Sequence, residues 1–149
     1  PPAPAPAPPP ASVSASSFQR KPGVTPPTEL EAFVAAAGSS LIVFDVRDPS
    51  PDAIPEPSAK VEPIVSPTSG SRPRAVNVPY DRRTGTVDLK AVPSSWLARG
   101  IESVPVITHC GGGGRGGLAK EYLESQGWLN VVNGGGPEDP ECWAVFGSK

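Results

Sequence analysis

Cys110 is followed within seven residues by six glycines and one arginine, in the run Gly111-Gly112-Gly113-Gly114-Arg115-Gly116-Gly117. The apolar run Val104-Pro105-Val106-Ile107-Thr108 precedes it, and Leu118-Ala119-Lys120-Glu121-Tyr122-Leu123 continues it at helical spacing. A strand ending in a thiol, a backbone free to curl and a helix N-terminus restrict the fold to one in which strands feed helices. Glycines let successive amides turn inward as a concave nest of N–H donors, and the following helix adds the positive end of its dipole. Arg115 contributes a planar charged fork suited to oxyanions. The same field is expected to hold the Cys110 thiol below its ordinary pKa of about 8.5, which makes it reactive. The competing reading is a tight turn beside an inert core cysteine, but one or two glycines suffice for a turn. His109 precedes the thiol on an alternating strand, so it is expected on the opposite face, in packing or hydrogen bonding rather than as a general base.

The rest of the chain supplies elements of the same kind. Thr28-Glu29-Leu30-Glu31 fits a capping box, and Leu30, Phe33, Val34 and Ala37 predict a helix over 28–37 that stops at Gly38. Leu41 to Val46 reads as a strand buried on both faces, Ala75 to Pro79 as a second and Val104 to Thr108 as a third. Gly85 marks a turn, and Ser94 opens a brief helix through Trp96 and Leu97. After the glycine loop, Leu118, Tyr122 and Leu123 give a helix ended by Gly127, and Leu129 to Val132 gives a fourth strand. Pro137 is expected to begin a short last helix carrying Trp143 and Phe146. Strands apolar on both faces that alternate with helices predict an α/β fold, a mostly parallel central sheet with helices on both sides. Ligands of such sheets bind beyond the carboxyl ends of the strands, where Cys110 falls.

Of the 22 prolines, ten lie in residues 1–27 and seven in 49–73. The first stretch, opening Pro-Pro-Ala-Pro-Ala-Pro-Ala, is expected to be a disordered or extended tail, and the second a long Pro-rich loop with Ala59 to Val65 as its only extended candidate. This leaves one domain over 28–149. The tail reads first as a linker and second as a contact for a protein partner that recognises proline. Net charge is -2 with scattered basic residues, which excludes a nucleic-acid partner. No apolar run approaches the roughly 20 residues that cross a bilayer, so a soluble chain with no membrane contact is expected. Methionine is absent, even at residue 1, which leaves a processed product that has lost a targeting peptide, a trimmed chain and a fragment all open, and with them cytoplasmic and organellar compartments. The two cysteines do not form a disulfide scaffold for a domain of this size. Cys142 reads as a helix cysteine beside a core tryptophan, with a role in resolving an oxidised Cys110 as the lesser alternative.

Taken in order, Leu41-Ile42-Val43-Phe44-Asp45-Val46-Arg47, Arg74-Ala75-Val76-Asn77-Val78-Pro79, Cys110 to Arg115 and Val131-Val132-Asn133-Gly134-Gly135-Gly136 resemble the rhodanese-like sulfurtransferases, in particular the small single-domain kind. The resemblance runs from about Thr28 to Gly147. It implies the rhodanese-like three-layer fold and a sulfurtransferase without metal or organic cofactor. Cys110 is then the catalytic sulfur carrier, and Gly111, Gly112, Gly113, Gly114 and Arg115 bind the substrate. A small sulfur-containing anion such as thiosulfate donates, and cyanide or a thiol accepts. Asp45 and Arg47 match the family's Asp-x-Arg, read as structural support for the strand end. Four residues separate Cys110 from Arg115, whereas phosphatases of related architecture need five to surround phosphate, so a phosphatase or arsenate reductase is disfavoured. A non-catalytic rhodanese-like binding module is the other alternative. The loop departs from thiosulfate-preferring members in having no basic residue besides Arg115, which leaves 3-mercaptopyruvate and protein persulfides open as donors. The long 49–73 segment and the insertion Pro137-Glu138-Asp139-Pro140 are further departures.

Overall fold

The computed structural model describes residues 19–48 and 72–149. The expectations for residues 1–18 and for nearly all of the Pro-rich loop, including Ala59 to Val65, lie outside the described residues.

Helix α1 spans Pro27–Ala37. The capping box expected at Thr28 does not form, because the helix starts one residue earlier: Pro26 is the N-cap in extended conformation and Pro27 opens the helix, with no side-chain cap. Proline suits that first position, since its φ is already helical and its missing N–H would have had no partner. Gly38, with φ 55°, ends the helix as expected. Four strands follow in the main sheet: β1 Ile42–Asp45, β2 Ala75–Asn77, β5 Val106–His109 and β6 Val131–Asn133. Between them lies a small antiparallel ribbon, β3 Tyr80–Asp81 with β4 Thr86–Val87, turned at Gly85. The brief helix at Ser94–Leu97 is a 3-10 turn. Helix α2 covers Gly114–Ser125 and α3 covers Pro140–Phe146.

Several boundaries differ from those read off the sequence. The fourth strand starts two residues later and ends one residue later than expected, and Leu129, expected inside it, is 72% exposed. The helix expected from Leu118, Tyr122 and Leu123 begins at Gly114, inside the glycine run, and presses its small residues Gly116 and Ala119, with Leu123, onto the sheet, which leaves Leu118 exposed. The last helix starts at Pro140 rather than Pro137, since the Asp139 side chain caps it by accepting from the Cys142 amide at 3.1 Å.

The main sheet is wholly parallel in the order β2-β1-β5-β6, with β1 and β5 central. Its two faces carry separate cores. Ile42, Phe44, Val106 and Val131 pack with Ala119 and Leu123 of α2 and with Trp128. Val43, Ala75 and Ile107 pack with Leu30 and Ala37 of α1 and Cys142 and Phe146 of α3. The chain is therefore an α/β domain with helices on both faces of a parallel sheet, and β1 is buried on both sides as its unbroken apolar run requires. Residues that composition assigns to the tail belong to this packing: Val24 is buried in the core of the α1 and α3 face, and the Thr25 amide donates to the carbonyl of Asn133 at 2.9 Å.

At the carboxyl ends of the strands the apolar core gives way to a buried polar tier. Register places Asp45 opposite both Asn77 and His109, and Thr108 opposite Asn133. All five side chains are buried. That tier is the floor under the glycine loop.

Candidate active site

Cys110 follows β5, a central strand, at the carboxyl end of the sheet. Its Sγ accepts one hydrogen bond among the described residues, from the Gly113 amide at 3.1 Å. Gly113 is the N-cap of α2 and has φ 113°, a conformation that side chains rarely adopt, and this backbone aims its N–H back at the sulfur. The thiol thus lies at the positive end of a 12-residue helix, as the sequence pattern leads one to expect. Cys110 itself is only 3% exposed.

The loop is held from three sides. The Cys110 amide donates to the carbonyl of Gly135 at 3.1 Å, and the Glu138 amide donates to the carbonyl of Gly111 at 2.8 Å. Gly136 lies so close beneath that a Cβ on it would collide with the carbonyl oxygens of Cys110 and Gly111. Asn133 Nδ2 donates to the Gly113 carbonyl at 2.9 Å while its Oδ1 accepts from the Gly135 amide at 3.1 Å, so one side chain ties the two glycine segments together. Thr108 Oγ1 donates to the Gly116 carbonyl at 2.8 Å and anchors the first turn of α2.

Beneath the loop, His109 points away from the thiol, among Trp143 and Phe146. Arg72 Nη2 is 3.0 Å from His109 Nε2 and His109 Nδ1 is 2.9 Å from the Cys110 carbonyl. Since a guanidinium can only donate, Nε2 is the acceptor and Nδ1 carries the proton. Burial pushes the imidazole down to about 4, with the charges of Arg72 and Arg47 adding to the effect and Asp45 opposing it. The ring is neutral at ordinary pH and is no general base. Arg72 is itself lowered to about 10, first by burial and then by the charge of Arg47, against the pull of Asp45.

Asp45 and Arg47 are both fully buried and form a two-pronged pair, Arg47 Nε to Oδ1 at 2.9 Å and Nη2 to Oδ2 at 2.7 Å. Burial alone would raise the Asp45 pKa, yet it lies below the ordinary carboxylate value. His109 adds to this only when charged, so at ordinary pH the Arg47 fork is the cause. Asn77 Nδ2 donates to the carbonyls of Asp45 and Arg47, both at 2.9 Å, and fixes the turn after β1.

Of the residues singled out in the sequence, Cys110 and Gly111 to Gly114 form the loop as one unit. Arg115 sits on its outer side, half-buried, and lines a rim cleft of about 410 Å³ with Asp48, Pro79, Tyr80, Asp81, Arg82 and Arg83. Its surroundings therefore include two carboxylates as well as two further arginines. Cys142 is a free, fully buried thiol whose Sγ donates to the Thr25 carbonyl at 3.3 Å. Burial pushes its pKa up to about 11, and a bond to Arg20 only partly offsets this. Such a thiol is a poor nucleophile, which disfavours a resolving role.

Residues that sequence reasoning passed over also reach the loop. A Cβ on Gly112 would stand 3.5 Å from Lys21 Cε and 3.2 Å from Glu138 Oε1, and one on Gly114 would stand 3.7 Å from Lys21 Nζ. The signal for Lys21 was the basic pair Arg20-Lys21 ahead of Pro22-Gly23, hidden by the proline-rich composition around it. Asn133 lies in the landmark Val131-Val132-Asn133-Gly134-Gly135-Gly136, and its bonds explain why an amide stands there. Among the described residues no cluster of histidine, cysteine and carboxylate side chains could hold a metal ion. No helix among them is long and apolar enough to cross a membrane. No protein-family model, no curated protein and no solved structure matches the chain.

Proposed function

We propose that the protein is a rhodanese-like sulfurtransferase in which Cys110 carries sulfane sulfur as a persulfide. The observation that carries this reading is the Gly113 amide aimed at Cys110 Sγ at the N-terminus of α2, beyond the end of a central parallel strand. The landmarks Asp45-Val46-Arg47, Asn77 and Asn133-Gly134-Gly135-Gly136 support it, because each has a physical task in holding that loop.

The thiolate attacks the outer sulfur of a donor such as thiosulfate. The donor's sulfur–sulfur bond breaks, sulfite leaves with the bonding pair, and a cysteine persulfide forms. Cyanide or a thiolate then attacks the terminal sulfur and the Cys110 thiolate departs, so that no external oxidant or reductant is consumed. Loop amides and Arg115 hold negative charge at each stage. Four residues between Cys110 and Arg115 make a ring smaller than a phosphate cradle, which disfavours phosphoryl or arsenate chemistry.

One observation favours a second reading, a non-catalytic binding module: Cys110 is almost fully covered. A single experiment separates the two. Incubation with thiosulfate is expected to add about 32 Da, one sulfur atom, to the peptide containing Cys110, with thiocyanate released when cyanide follows. Cys110→Ser is expected to abolish both while remaining folded, and Arg115→Ala to weaken donor binding first. Absence of the adduct on the unaltered protein, or transfer retained in Cys110→Ser, removes the sulfurtransferase reading.

A further inference from the structure

We infer that Lys21 reads the charge of the molecule arriving at Cys110, so that residues 20–25 form a wall of the site. The identity of that molecule as a sulfur donor rests on the proposed function, but the charge-reading role does not.

The segment is fixed by contacts to α3, to Asn133 and to the glycine segments themselves. Arg20 pairs with Asp139 at 2.8 Å and also with Glu141. Val24 is buried against Gly113 and Gly135. Thr25 is bonded at both its amide and its carbonyl, to Asn133 and to Cys142. Between these anchors the Val24 amide donates to the Lys21 carbonyl at 3.3 Å, closing a turn that carries Lys21 back over the loop. The ammonium lies against Gly114, at the first turn of α2, and the stem against Gly112, with room for no more than a methyl between them. The Gly113 amide, the N-terminus of α2 and this ammonium then all lie within the few residues that follow Cys110. Glu138 approaches the same face of Gly112 and opposes them.

The loop itself has no charge before Arg115. Lys21 supplies, from a segment distant in sequence, the cation that a bare glycine loop lacks. The matching ligand is a small donor bearing a sulfonate or carboxylate next to its transferable sulfur, and Glu138 sets a limit on how much negative charge is favoured.

The test compares alkylation of Cys110 by anionic iodoacetate and neutral iodoacetamide, with the modified peptide identified by mass. The ratio of the two rates cancels any change in thiolate fraction, and both altered side chains are exposed, so the fold is preserved. Lys21→Gln is expected to lower the iodoacetate-to-iodoacetamide ratio about three- to tenfold, as one unit charge a few ångströms away in a partly solvated site would. Lys21→Arg is expected to restore the ratio, and Glu138→Gln to raise it about twofold or more. For thiosulfate, Lys21→Gln is expected to raise KM with little change in kcat. An unchanged ratio in Lys21→Gln overturns the inference. A lowered ratio in a protein that takes no sulfur from thiosulfate upholds the role of Lys21 and removes the sulfurtransferase reading alone.

Discussion

Arg72 Nη2 lies 3.0 Å from His109 Nε2, and this one contact decides which ring nitrogen carries the proton. The Nδ1–H that results donates to the carbonyl of Cys110, so the chain reversal that begins the glycine loop is held from below by a neutral, buried imidazole.

The pH dependence of stability follows from that neutrality. The folded-state pKa of His109 is about 4, below the ordinary value of 6.5, so its favourable contribution is complete above about pH 6.5 and is lost as pH falls toward 4. The loss amounts to about 3 kcal/mol. Asp45, also lowered, acts in the same direction at still lower pH. Urea midpoints taken between about pH 7 and pH 4.5 are expected to fall more steeply for the unaltered protein than for His109→Asn, whose amide can keep the bond to Cys110 without titrating. Parallel slopes would contradict the assignment.

The six glycines after Cys110 and those after Asn133 are not equivalent. Gly136 has φ 146° and lies against the Cys110 and Gly111 carbonyls, so Gly136→Ala is expected to cost about 2–4 kcal/mol and to displace the loop. Gly114→Ala places its methyl in ordinary contact with the Lys21 ammonium, at the first residue of α2, where the helical backbone suits alanine. Chemical denaturation of the two variants is expected to show large destabilisation in the first and none in the second.

The Asp45–Arg47 pair predicts strong coupling. Removing either partner takes the bidentate counter-ion from a fully buried charge, at a cost of about 3–5 kcal/mol, of which Arg72, 3.8 Å from Asp45 Oδ2, offsets a part when Arg47 is the one removed. Asp45→Leu and Arg47→Leu are each expected to destabilise by that order, and the double variant by clearly less than their sum. Additive losses in a double-mutant cycle would mean that the two residues act separately.

Cys142 should stay silent where Cys110 reacts. With a raised pKa of about 11 and full burial, it is expected to resist alkylation at about pH 8 while Cys110 is labelled. Mild oxidation is expected to leave no bond between the two. Peptide mapping that finds Cys142 labelled first, or linked to Cys110, would restore the resolving role.

The sequence by itself determined the order of elements, the parallel sheet and the place of the thiol. Those properties depend on local periodicity: apolar runs such as Ile42 to Phe44 have to be covered on both faces, and a glycine run between a strand and a helix has to turn tightly there. Tertiary structure decided what the loop touches. Lys21 and Asn133 reach it, and Arg72 reaches His109 beneath it, from segments far apart in the chain, and no spacing rule connects a lysine in a proline-rich stretch to Gly112 or an arginine at the end of a long loop to His109. The same holds for helix ends, where Pro27 and Asp139 prevailed over Thr28 and Pro137, because capping depends on where the backbone is pinned by packing. Charge next to Cys110 is likewise a property of proximity in space, set by Lys21 and Glu138 meeting over Gly112, a residue that has no side chain.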